Sequence, residues 1–163
     1  MKKSKKHNII IVSIAIIIIC AIAGYNYSVD QTKQKGLRFG NELQQIQEEV
    51  KQLQTEFNSK ITQWEEGDLN QQELAEYSKN HIEKLQNVVL KYDDLIPPKQ
   101  FASSVELFKL STQAQLDSDK EFIEWIKTSD DSHKIRSDSL IQESFEYEMM
   151  ALGEFNAAKS GLR

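Results

Sequence analysis

The sequence is short of the residues that break helices and of those that crosslink folds. Its 163 residues hold one cysteine, two prolines and six glycines. One cysteine excludes an internal disulfide framework and any multi-cysteine zinc or iron–sulfur centre. So few helix breakers argue against a turn-rich β-sandwich or barrel and for long uninterrupted helices. Basic charge is scarce as well, with 20 Lys and Arg against 25 Asp and Glu. Four of the basic residues, Lys2, Lys3, Lys5 and Lys6, cluster at the start of the chain. Without them 16 basic residues face 25 acidic ones, so the rest of the chain stands near −9 where the whole is −5. Phosphate binding needs a Lys/Arg surplus, so nucleic acid is not expected as a partner. An anionic membrane surface is disfavoured for the same reason, except near Lys33, Lys35 and Arg38. Cationic partners are favoured.

The common catalytic constellations are missing too. The scattered glycines form neither of the phosphate-cradling patterns G-x-G-x-x-G and G-x-x-x-x-G-K, and there is no G-x-S-x-G elbow. Of the three histidines, His7 precedes a long apolar block, His81 falls on an apolar stripe and His133 at a loop entry. A carboxylate-bridged di-iron bundle needs Glu-x-x-His on two helices. Here Asp130-x-x-His133 is the one acidic match, at a loop, and Ser78 stands three residues before His81. His81 reads as a core histidine rather than a haem ligand partnered by Met149 or Met150. Oxygen-rich loops can hold calcium, but neither acidic loop has the D-x-[DN]-x-[DN]-G spacing. No catalytic, cofactor-binding or metal site is therefore expected, and the chain does not read as an enzyme.

What the sequence has in quantity is one long apolar run followed by helical periodicity. Residues 9–23 carry no charge, and the uncharged stretch extends to Val29 before Asp30. A membrane-spanning helix needs about 20 predominantly apolar residues. Ile9 to Ile19 supply the apolar part, and Tyr25 and Tyr27 suit an interfacial aromatic belt. Lysines before the block and acid after it orient the N-terminus to the cytoplasm and the rest outside. A cleaved signal peptide competes with this signal-anchor reading, since Ala21-Ile22-Ala23 fits an A-x-A site and cleavage after Ala23 releases the domain. Cys20 follows Ile19 inside the run and reads as a small apolar residue rather than a lipidation site.

After the polar connector 30–36, apolar residues fall at Phe39, Leu43, Ile46, Val50, Leu53 and Phe57, a heptad seam. The seam either closes inside the chain or pairs with a second copy as a coiled coil. The pattern continues through Ile61 and Trp64. Gly67 fits a helix stop, and Asn70-x-x-Glu73 a reciprocal cap. A second stripe runs through Leu74, Tyr77, Leu85, Val88, Tyr92 and Leu95, and Ile96-Pro97-Pro98 ends it. A third carries Phe101, Val105, Phe108, Leu116, Ile123 and Ile126. Residues 128–132 supply several N-caps. The fourth stripe reads Ile141, Phe145, Met149 and Leu152, with Leu140, Tyr147 and Phe155 alongside. The stretches span roughly 37–66, 71–95, 98–128 and 132–160, each about 35–45 Å long.

The predicted fold is all-α, with an N-terminal single transmembrane (signal-anchor) helix followed by an antiparallel up-down four-helix bundle. Residues 1–8 form a cytoplasmic basic stub, 9–29 the anchor, 30–36 the connector and 37–163 the extracytoplasmic bundle. The tetrads Ile61–Trp64 and Phe122–Trp125 each precede an acidic turn. They set Trp64, Glu65, Glu66 and Asp68 beside Trp125, Asp130 and Asp131 at the pole away from the anchor, the candidate interaction site. The expected role is a non-enzymatic interaction or scaffold module for an envelope or secretion partner. A ligand-sensing bundle that signals through a partner protein is the alternative.

Overall fold

The computed structural model describes residues 33–161, with side chains from Arg38 onward. The expected anchor, with Ile9, Ile19, Tyr25 and Tyr27, lies outside the described residues. Among the described residues no helix is long and apolar enough to cross a membrane. They form four α-helices and no strand: α1 (Lys33–Glu66), α2 (Gln71–Lys91), α3 (Ala102–Thr128) and α4 (Asp131–Ser160). Short 3₁₀ turns at Tyr92–Asp94 and Lys99–Phe101 flank the proline-bearing link between α2 and α3.

Local chemistry explains the breaks. Gly67 adopts φ +85°, a left-handed conformation that costs glycine little. This lets the Asp68 and Leu69 amides fold back onto the Gln63 carbonyl, at 2.8 and 3.1 Å. The Asn70 side chain accepts from the Gln72 and Glu73 amides while the Glu73 carboxylate accepts from the Asn70 amide, the reciprocal cap read from the sequence. At the other hairpin Ser129 takes the left-handed conformation at φ 57° and caps α3 through a 2.8 Å bond from its amide to the Trp125 carbonyl. Asp130 supplies the N-cap of α4, accepting from the Ser132 amide at 2.9 Å.

Consecutive helices run antiparallel. Glu49 pairs with Lys91 across α1 and α2, and the Phe57 ring stacks on His81, 4.2 Å between centroids. Gln71 at the start of α2 donates to the Ile126 carbonyl near the end of α3 at 2.7 Å. The core lies among α1, α2 and α3 and is closed at one end by Phe39, Phe101 and Phe155. All six residues of the α1 seam, Phe39 to Phe57, are buried against the chain's own helices.

Two polar layers cross this apolar core, one heptad apart. In the first, Gln47 donates to the Tyr92 hydroxyl at 2.7 Å, and that hydroxyl meets Thr112 Oγ1 at 2.9 Å. Burial, with Glu148 nearby, holds the Tyr92 phenol well above its ordinary range. In the second, Asp119 Oδ2 accepts from Gln54 at 2.8 Å and lies 2.9 Å from His81 Nε2. Gln47 to Gln54 and Thr112 to Asp119 are both steps of seven, so both layers join α1 to α3, one through His81 on α2 and the other through Tyr92 in the 3₁₀ turn after it.

The fourth helix departs from its predicted face. Phe145 and Met149, expected in the core, are 38% and 49% exposed. Leu152 and Phe155 are buried as expected, and Ser137, Ser144 and Ala151 are buried in place of Phe145 and Met149. They meet a matching row of small residues on α3. Ser118 Oγ donates to the Ser137 carbonyl at 2.9 Å, and Ser111 Oγ lies 3.1 Å from Ser144 Oγ. Ser104, Ser111 and Ser118 on α3 and Ser137, Ser144 and Ala151 on α4 each repeat every seven residues. Small side chains let two backbones approach closely, and that approach turns Phe145 and Met149 of α4 to the flank. Glu148 sits on that flank, where burial alone pushes its carboxyl up to about 8.

A leucine in this seam has no room. Ser118→Leu and Ser144→Leu are each expected to destabilise the protein by about 1–3 kcal/mol, whereas Ser111→Ala costs about 1 kcal/mol or less. Thermal unfolding followed by circular dichroism measures this, and a Ser144→Leu chain that melts like the unaltered protein contradicts the close seam.

Candidate functional site

The end of the bundle formed by the two tight hairpins holds every residue of the candidate site within the described region. Trp64 lies near the end of α1 and Trp125 near the end of α3. Their rings meet edge to face, 6.2 Å between centroids at 89°, the geometry that aromatic quadrupoles favour. Phe122 packs on Trp125 at 5.4 Å and reaches Phe57 at 6.4 Å. An aromatic chain therefore runs from the half-buried tryptophans through Phe122 and Phe57 to His81 in the interior. Both tryptophans keep part of their surface open to solvent.

Around them Glu65, Glu66, Asp68, Asp130 and Asp131 are all exposed. Hydrogen bonding from Ser132 holds the Asp130 carboxyl below its ordinary value, so the N-cap stays charged. Among the described residues no group of three or more His, Cys, Asp or Glu is placed to hold a metal ion. The five carboxylates are divided between two loops and point to water.

One charged cluster on this end was not singled out from the sequence. His133, in the first turn of α4, lies 2.6 Å through Nδ1 from Glu121 Oε2, and Arg136 donates to Glu121 Oε1 at 3.1 Å. The hydrogen bond to Glu121 raises the His133 pKa, and the same bond lowers that of Glu121. The sequence places His133 at a helix entry. The helical hairpin supplies Glu121 from twelve residues earlier.

The buried Gln54–His81–Asp119 layer was the other site beyond sequence reasoning. An Asp–His pair can serve acid–base catalysis when the second ring nitrogen faces a reacting group. Here the His81 side chain is wholly buried and its Nδ1 has no hydrogen-bond partner among the described residues. The nearest hydroxyl along the helix, Ser78, is committed to the Leu74 carbonyl. The geometry gives this pair a packing role. Its detectable signal was the heptad step from Gln47 to Gln54 beside the apolar seam. Two open grooves lie on the outside, one of about 530 Å³ along α1 and one of about 310 Å³ where α1 meets the end of α2.

Comparison of the chain with protein families, curated proteins and solved structures finds no match in any of them.

Two measurements test this arrangement. Asp119→Ala strands the Gln54 amide and His81 Nε2 in the core, with an expected loss of about 2–5 kcal/mol, while Asp119→Asn retains one acceptor and loses less. Urea unfolding reads the difference, and equal midpoints for Asp119→Ala and the unaltered chain refute the layer. For the surface pair, the Glu121 contribution is full above its ordinary 4.5 and fades as pH falls through its lowered folded value. The His133 contribution is full below its ordinary 6.5 and fades as pH rises through its raised folded value. The melting temperature lost in His133→Ala is thus greatest between pH 4.5 and 6.5 and shrinks on the alkaline side. A deficit that does not change with pH contradicts the pairing.

Proposed function

We propose that the protein is a membrane-anchored, extracytoplasmic up-down four-helix bundle that acts as a non-enzymatic interaction or scaffold module. It is held by residues 9–29 and presents its distal pole to a protein partner of the envelope or a secretion system. The observation that carries this reading is the contact between Trp64 and Trp125, half-buried and ringed by five exposed carboxylates. Aromatic residues with an apolar face and a polar rim are the usual anchors of protein interfaces. An acidic rim selects a basic partner and accelerates its approach. Pairing of two copies through the Phe39–Phe57 seam requires the core to open, so a homo-oligomer would use another face. A ligand sensor needs space between helices, and the described grooves are open to the outside.

The test is chemical crosslinking in intact cells followed by recovery of the tagged full-length chain from membranes. The unaltered chain is expected to capture a discrete basic partner. Trp64→Ala/Trp125→Ala is expected to weaken that capture about thirtyfold or more, as loss of an interface anchor does. Glu65→Gln/Glu66→Gln/Asp68→Asn is expected to slow association and flatten its salt dependence. Loss of capture together with the fold assigns the tryptophans to the core instead. Capture that survives all five substitutions sinks the proposal. In the same cells a Ser160→Cys chain should react with a membrane-impermeant thiol reagent before lysis, and reaction only after lysis reverses the orientation.

A further inference from the structure

Pairing through the α1 seam would open the core, so a second copy needs another face, and α4 offers one. Its small-residue row, Ser137, Ser144 and Ala151, is turned into α3. Five residues beyond each of these stand Gln142, Met149 and Asn156, about 140° further around the helix. Ile135 extends that second row by one heptad. Ile135 is 70% exposed and Met149 49%, and both amides are exposed. No residue of the row is charged. The chain carries 25 acidic against 20 basic residues, so copies of it repel one another except where an uncharged strip lets them touch.

The close serine seam accounts for the exposure of Met149. It does not account for Gly153, nine residues beyond Ser144 and so directly opposite the seam. Gly153 is exposed in the interior of α4, where glycine costs stability relative to alanine. Its backbone does not ask for glycine, because Gly67 is the one described glycine with a positive φ. Its surroundings do not ask for it either: among the described residues a Cβ built there meets nothing outside its own turn of helix within 4 Å. What a missing Cβ permits at such a place is the close approach of a second backbone.

We infer that two copies of the chain pair in parallel through this outer side of α4, with Ile135, Gln142, Met149 and Asn156 each meeting its own counterpart and the helices closest at Gly153. The row has the spacing of a coiled-coil a position. Ile135 and Met149 supply apolar layers. Gln142 and Asn156 supply amides, which hold both donor and acceptor and can bond to their own copy, as two carboxylates cannot. Gln142 donates to Glu146 Oε1 at 3.2 Å, which leaves its carbonyl and second N–H for the partner. The row also sets the sense of pairing. An antiparallel pair centred on Met149 places Ile135 opposite position 163, past the end of α4 at Ser160. One centred midway along the row places apolar side chains on amides. Parallel pairing matches all four layers. It also brings both tryptophan poles to one end, so a partner with two basic segments meets two acidic poles together. The pairing does not depend on the anchor. Two apolar residues per copy make a small contact, so paired and single chains exchange.

The test is disulfide trapping of the full-length chain with Cys20→Ser, in the cells that express it. One cysteine is introduced at a time: Gln142→Cys or Met149→Cys on the row, or Met150→Cys, a site 55% exposed on a neighbouring face. Mild oxidation is expected to join copies at 142 and at 149 and to leave the 150 chain largely single. Met149→Glu in the Gln142→Cys chain should lower the trapped fraction about tenfold, because two carboxylates then meet. Gly153→Leu in the same chain should lower it while the melting temperature holds, since leucine is the better helix former. Equal trapping at 149 and 150 overturns the pairing, and so does trapping at 142 that ignores Met149→Glu, because both report random collision. A mixture of Gln142→Cys and Asn156→Cys chains that joins only 142 to 156 overturns the parallel sense. Trapping at 142 and 149 in chains recovered free of the membrane supports the pairing and removes the anchor instead.

Discussion

A single buried carboxylate, Asp119, ties three helices together. It accepts from Gln54 on α1 and meets His81 on α2 from its own place on α3. Burying a charge-bearing group is costly unless its lone pairs are satisfied, so any slip that broke these bonds would be penalised. An apolar heptad seam tolerates slips of one repeat, because one leucine layer resembles the next. The Asp119 layer and the Tyr92 layer one repeat away remove that ambiguity. With the register of α1, α2 and α3 set, Phe57 lies against His81, and Phe122 carries the packing on to Trp125 and Trp64. The aromatic pole is thus a consequence of polar bonding in the interior.

The fourth helix is held by a different principle. It meets α3 through serine and alanine, at a spacing where hydroxyls bond directly across the seam. Close approach gives up bulk in exchange for many backbone-proximal contacts. It also turns Phe145 and Met149 away from the centre, which explains their exposure without invoking a partner.

Charge follows the axis set by these contacts. Short hairpins bring four helix ends and their capping acids to one pole. The proposed scaffold role uses this acidic pole.

The four helices, their breaks at Gly67 and Pro97-Pro98, the Asn70 cap and the buried faces of α1, α2 and α3 were legible in the sequence. The reason is physical: large apolar side chains at helical spacing and glycine or proline between them act locally. The tryptophans and carboxylates of the pole were also legible, since helix length and loop order place them. The face of α4 was not, because serine and alanine leave little trace in hydrophobic periodicity. Nor was the partnership of His81 with Asp119, thirty-eight residues away, or that of His133 with Glu121. By itself the sequence determined which segments are helical and where they end, because those choices are made within a turn or two of chain. Only the tertiary structure decided which polar residues meet and which side of α4 is buried, because those depend on contacts between helices that no local pattern records.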